Sequence, residues 1–158
     1  MTKPMPEGYH SLTPGLTVKD ARKAIAFYKK AFDAKELLVL DMPDGKIMHA
    51  ELKIGDSIFM LGEECPEMKE MKSAESLGGS PISLNIYLGD VDAAFKKAVA
   101  AGAKGVKQPE EMFWGDRYGL VKDPFGYSWG LLTHVKDVSP EEMKKAAKEM
   151  HGTMAAAH

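Results

Sequence analysis

The chain has a single cysteine, no excess of charge of either sign and no long apolar run. Cys65 stands alone among 158 residues, so no internal disulfide can form and a reducing compartment is expected. Its 21 Lys and Arg are balanced by 23 Asp and Glu, a formal net charge of -2. That leaves no basic field to gather nucleic acid or an anionic membrane surface. No apolar stretch approaches the roughly 20 residues that span a bilayer, and the N-terminal MTKPMPEGYH carries no apolar signal core. The expectation is a cytoplasmic protein with neither a nucleic-acid nor a membrane partner. A phosphate-cradling loop is also missing, and Ser57 and Ser83 lack any sign of a catalytic triad.

What the chain does have is one pattern written twice. LTVKDARKAIAFYKKAFDAK passes from strand-like alternation into a helix, with Ala24, Ile25, Phe27, Tyr28, Ala31 and Phe32 at helical spacing. IYLGDVDAAFKKAVAAGAKG repeats this with Leu88, Val91, Ala94, Phe95, Ala98 and Val99. Asp20 and Asp90 stand where an N-cap belongs, because a short carboxylate accepts the unpaired amide hydrogens of a first helical turn. Gly102 ends the second helix. A glycine turn and two strand candidates follow each helix: PDG before KIMHAELKIGDSIFML, and WGD before RYGLVKDPFGYSWGLL. Asp20 and Asp90 are about 70 positions apart, as are Gly45 and Gly115, and a fixed repeat distance marks a duplicated unit.

The expected organisation is α+β. A first β-α-β-β-β unit covers 8–62, a charged, Gly- and Ser-bearing linker 63–81, a second unit 82–138, and a C-terminal helix 139–151. That helix opens with a Ser139 to Glu142 capping box and Pro140 at its first position. With 44% hydrophobic content, the chain can bury one core or two small fused ones.

Three segments in order, YHSLTPGLTVKDARKAIAFYKKAF, GKIMHAELKIGDS and FWGDRYGLVKDPFGYSW, carry a family resemblance. With the two β-α-β-β-β units they resemble the vicinal oxygen chelate superfamily of glyoxalases, bleomycin-resistance proteins and extradiol dioxygenases, and more narrowly its PhnB-like branch. The resemblance covers roughly residues 8–138. It implies that each unit curls into half of a concave mixed-sheet barrel with helices on the convex side. It also implies a homodimer, whose cavity is completed across a two-fold axis or by swapped units. Strand alternation then sends Leu16, Val18, Ile82, Leu84, Ile86 and Leu88 toward the helices, and Thr13, Gly15, Thr17, Ser83, Asn85 and Tyr87 toward the cavity.

Enzymes of that superfamily hold a metal ion with His, Gln or Glu on the first and last strands of each unit. Counting from the capping aspartates and along the closing strands places Thr13, Met60, Ser83 and Gly130 there. None is a usual ligand for a divalent ion, so no metal and no other cofactor is expected. The alternative is a displaced site: His49 and Glu51 share one strand face in MHAEL, with His10, His134 and Asp116 as further donors. Zn, Ni, Fe or Mn would then serve glyoxalase- or dioxygenase-like chemistry, with Glu51 as base and His49 as ligand or acid. A catalytic site normally takes three protein ligands, which favours a hydrogen-bonding role for His49 and Glu51 at the pocket wall or dimer seam.

The candidate ligand-binding residues are Trp114, Phe113 and Tyr87 for stacking, with Asn85, Arg117 and His49 as polar anchors and Asp116 and Glu51 beside them. A structural pair between Asp116 and Arg117 is the competing reading. Trp129 points away from the pocket and belongs to the core, while Pro124 and Gly126 serve a tight turn. The expected function is metal-independent binding of a planar, partly apolar small molecule. A scaffold dimer with a vestigial pocket is the third class.

Overall fold

The computed structural model describes residues 2–155 and gives both halves the same element order. The first unit consists of β1 (Gly15–Val18), α1 (Ala21–Phe32), β2 (Lys35–Asp41), β3 (Ile47–Ile54) and β4 (Ser57–Glu63). After a short α2 (Ala74–Leu77) come β5 (Ser83–Tyr87), α3 (Val91–Ala101), β6 (Lys104–Glu111), β7 (Asp116–Lys122) and β8 (Ser128–His134), then α4 (Pro140–Ala155).

The helices begin where the sequence places them. Asp20 accepts the Lys23 amide and Asp90 the Ala93 amide, each at 3.0 Å. The capping box also forms: Glu142 accepts the Ser139 amide at 2.9 Å, and Ser139 accepts the Glu142 amide at 3.3 Å. From there α4 runs beyond the expected 151 to Ala155. The 63–81 segment is not a bare linker, since Glu63 still belongs to β4 and Ser73, fully buried, caps α2 by accepting the Ser76 amide.

Each unit forms its own sheet, in the order β1-β4-β3-β2 and β5-β8-β7-β6. The first and last strands of each unit run parallel, as a crossover through a helix requires, and the other pairs are antiparallel hairpins. The two four-stranded sheets are unclosed. Four edge strands, β1, β2, β5 and β6, have a strand neighbour on one side only.

The core lies on the helix face of the sheets, where the units meet. Leu16 and Val18 are buried there as alternation demands; Leu84, Ile86 and Leu88 pack on it partly buried, while Ile82, ahead of β5, is 64% exposed. Phe27, Tyr28 and Phe32 of α1 join Phe59 of β4, Phe125 of the β7–β8 turn and Trp129 of β8 in one aromatic cluster, with ring centroids 4.9–6.2 Å apart. Buried Asp123 takes hydrogen bonds from Tyr28 of the first unit and from Trp129 of its own. The aspartate of the D-P-F-G turn thus joins the two halves.

Candidate functional site

The face of each sheet opposite the helices carries a hydroxyl, a carboxylate and an imidazole in contact. On the second sheet, register places Asp116 opposite His134, Tyr118 opposite Leu132, and Leu120 opposite Gly130, so these six residues share that face with Asn85 and Tyr87. Asp116 is buried and accepts from the Tyr87 hydroxyl at 2.9 Å and from the Trp114 indole N–H at 3.0 Å. Its other oxygen is 2.8 Å from His134 Nδ1, whose Nε2 lies 3.0 Å from Asp137. Trp114 is edge-on to Phe113 and tilted against Tyr118, which makes a row of three rings at this end of the sheet.

On the first sheet Glu51 stands between Met60 and Leu38, with His49 and Leu40 one pair further along the same face. Glu51 accepts from the Tyr9 hydroxyl, and its Oε1 is 3.2 Å from His49 Nε2. The Tyr9 bond holds the Glu51 carboxyl below its ordinary pKa, and Glu51 in turn pushes the Tyr9 phenol up to about 12.

These contacts settle several local alternatives. Asp116 and Arg117 do not pair with each other: Arg117 reaches Asp92 of α3 through two bonds of 2.7 and 2.9 Å, because successive strand residues point to opposite faces. Arg117 therefore lies on the helix side, away from Asp116, Tyr87 and Trp114. Phe113 and Trp114 stand at the β6–β7 turn, where Gly115 has φ 100° and an added Cβ would sit 2.0 Å from the Lys136 carbonyl oxygen. His49 and Glu51 meet on one sheet, and His134 and Asp116 on the other. Tyr118 was legible from its i, i+2 spacing to Asp116. Tyr9 was not, since nothing in its segment signals that it folds back onto β3.

His134 gives the second cluster a pH window. Asp137 and then Asp116 raise its pKa above the ordinary 6.5. A raised folded-state value means that the contribution to stability is fully present below the unfolded pKa and is lost as pH rises through the folded one. Burial alone would push the Asp116 carboxyl up, but the bonds from His134, Tyr87 and Trp114 outweigh it and hold the pKa below the ordinary value. Its contribution is therefore lost as pH falls through that lowered pKa. NMR titration of His134 should give a midpoint above 6.5 that drops in Asp137→Asn; a midpoint at or below 6.5 in the native chain would mean that the clasp does not form.

A family model described as Glyoxalase/Bleomycin resistance protein/Dioxygenase superfamily matches residues 9–131. The chain belongs to this superfamily. It is 46% identical over 138 residues to the uncharacterized protein Rv0887c of Mycobacterium tuberculosis, across 86% of this chain and 81% of that one. It is 31% identical over 131 residues to the uncharacterized protein At5g48480 of Arabidopsis thaliana, across 77% and 76%. The X-ray structure of the Arabidopsis protein is similar at a TM-score of 0.62, over 77% of this chain and 97% of that one, with 29% identity. TioX from Micromonospora sp. ML1 is similar at 0.61, over 80% and 99%, with 27% identity.

The divalent ion used by enzymes of the glyoxalase superfamily does not fit the donors here. Thr13 precedes β1 and its hydroxyl donates to the His10 carbonyl at 3.0 Å. The parallel register puts Gly15 opposite Met60 and Asn85 opposite Gly130. A thioether, an amide and two glycines bind hard or borderline cations poorly. The Asn85 amide lies over Gly130, where a Cβ would come within 2.1 Å of its oxygen. Among the described residues, no group of three or more His, Cys, Asp or Glu is arranged to hold a metal. None of their helices is long and apolar enough to cross a membrane.

Proposed function

We propose that the chain binds a planar, partly apolar small molecule on its concave faces without a metal ion. The observation that carries this reading is the row Phe113, Trp114 and Tyr118 beside Tyr87, held by buried Asp116. Flat rings stack on a flat ligand at small entropic cost. Asn85, His49 and Glu51 offer polar contacts on the same faces, whereas Arg117 is engaged by Asp92. The weak metal donors favour binding over glyoxalase- or dioxygenase-type catalysis through Zn, Ni, Fe or Mn. The three ordered sequence segments support a PhnB-like placement, in accord with the shared fold of the Bacillus cereus PhnB protein at a TM-score of 0.61 and 18% identity.

The site reading includes a homodimer. Leu38, Leu40 and Tyr87 on these faces are 39%, 39% and 64% exposed, apolar surface that a second copy would cover while closing the cavity. Sedimentation should therefore give twice the chain mass. The balanced charge and lone Cys65 support a cytosolic setting.

Trp114→Ala should weaken binding of a flat aromatic ligand by about 1–3 kcal/mol in calorimetry while the melting curve stays cooperative. Loss of folding instead would make Trp114 a structural plug and remove it from the site. Elemental analysis addresses the metal reading: near-stoichiometric metal that disappears in a His49→Ala, Glu51→Ala double variant would replace this proposal with a metalloenzyme.

A further inference from the structure

The repeat that builds the two units breaks at one place, and the break leaves a cavity. The outer edge of β1 is sealed by a ring from the second unit: the Tyr127 hydroxyl donates to the Thr17 carbonyl at 2.8 Å and accepts the Thr17 amide at 3.2 Å. Phe125, from the same turn, is 7% exposed and packs edge-on against Phe27. In the registers, Met60 opposite Gly15 corresponds to Gly130 opposite Asn85. Counting back along β4 and β8 then matches Phe59 to Trp129, Ser57 to Tyr127 and Gly55 to Phe125. Two aromatic side chains of the second turn are thus reduced in the first turn to a hydroxymethyl group and a hydrogen.

A groove of about 690 Å³ lies there. Phe32, Phe59, Leu84, Ile86 and Trp129 line it, together with Ser57, Asn85 and Tyr87. Its apolar wall is made of helix-side residues, and along β5 the groove reaches the opposite face at Asn85 and Tyr87. Beside it runs the open edge of β5. The Leu88 amide donates to the Leu132 carbonyl of β8, and alternation along a strand turns the Tyr87 amide and carbonyl the other way, outward. They are the counterparts of the two Thr17 groups that the Tyr127 hydroxyl satisfies.

We propose that this groove binds a phenolic small molecule of one or two fused rings. The ring lies in the groove against the wall that Phe59, Trp129, Leu84 and Ile86 present to it. The hydroxyl meets the free edge of β5 at Tyr87, donating to the carbonyl and accepting the amide as Tyr127 does at Thr17. The fold carries its own template for the ligand, and the volume falls within the roughly 300–1,000 Å³ of small-molecule sites.

The test uses 2-naphthol as probe against the full chain, by calorimetry and by the Trp129 indole signal in NMR. Saturable binding that shifts this signal is expected, as is a loss of about ten-fold or more in Ser57→Tyr, which restores the missing ring. Absence of saturable binding up to the solubility limit, or binding that Ser57→Tyr leaves unchanged, overturns the proposal. Should Ser57→Tyr not fold, crystals of the native chain soaked with 6-bromo-2-naphthol decide the matter. Bromine within the groove, against Phe59, Trp129 or Ile86, supports the site, and bromine elsewhere, or none, overturns it.

Discussion

Asp123→Ala is expected to destabilise the chain by about 3–5 kcal/mol, read from the midpoint of urea unfolding at unchanged slope. One Asp123 oxygen accepts the Phe125 and Tyr127 amides, each at 2.9 Å, and the other accepts the Tyr28 hydroxyl at 2.7 Å and the Trp129 indole N–H at 2.9 Å. Alanine would leave all four donors without this acceptor. Two of them belong to the buried junction between the units, where water cannot readily replace the carboxylate. Asp123→Asn keeps one acceptor oxygen and should cost less than alanine. A loss under about 1 kcal/mol for Asp123→Ala would show that the donors find other partners and that the junction does not depend on this residue.

Trp129→Ala is expected to cost a similar amount, about 3–5 kcal/mol, through a different mechanism. Its ring is 3% exposed, with centroids 4.9 Å from Phe32, 5.3 Å from Tyr28 and 5.9 Å from Phe59, so truncation opens a void among the first unit's rings at the junction of the two units. Because the indole also donates to Asp123, the double variant should lose less than the two single losses together. Strict additivity in that cycle would mean that packing, not the shared hydrogen bond, accounts for the Trp129 effect. The same substitution removes one wall of the phenol groove, which ties the stability of the junction to the proposed ligand site.

Much of the architecture is legible in the amino-acid sequence because its signals are local. Helix periodicity, the caps at Asp20 and Asp90, the turn glycines and the Ser139 capping box each depend on residues a few positions apart. The second occurrence of each signal reinforces the first. Alternation alone assigns Trp129 to the core, and its burial agrees. Arg117 does not join Asp116 for a related reason: adjacent strand residues cannot share a face, and Arg117 pairs with Asp92 on the helix side. Which residues stand opposite Met60 and Gly130, namely Gly15 and Asn85, is a matter of register, about which a count from the helix caps carries no information.

By itself the sequence determined the duplicated β-α-β-β-β plan and the faces of most strands, since these follow from residue type and short-range periodicity. Only the tertiary structure decided which side chains meet. Tyr28 joins Asp123 across 95 positions and Tyr127 seals Thr17 across 110, while Tyr9 folds onto Glu51. These pairings depend on how two separately specified units dock, and docking reflects the summed packing of many side chains rather than any pattern within one segment. The phenol groove belongs to the same class: Ser57 and Gly55 look ordinary in the chain, and become a missing pair of rings only when the two halves are laid edge against turn.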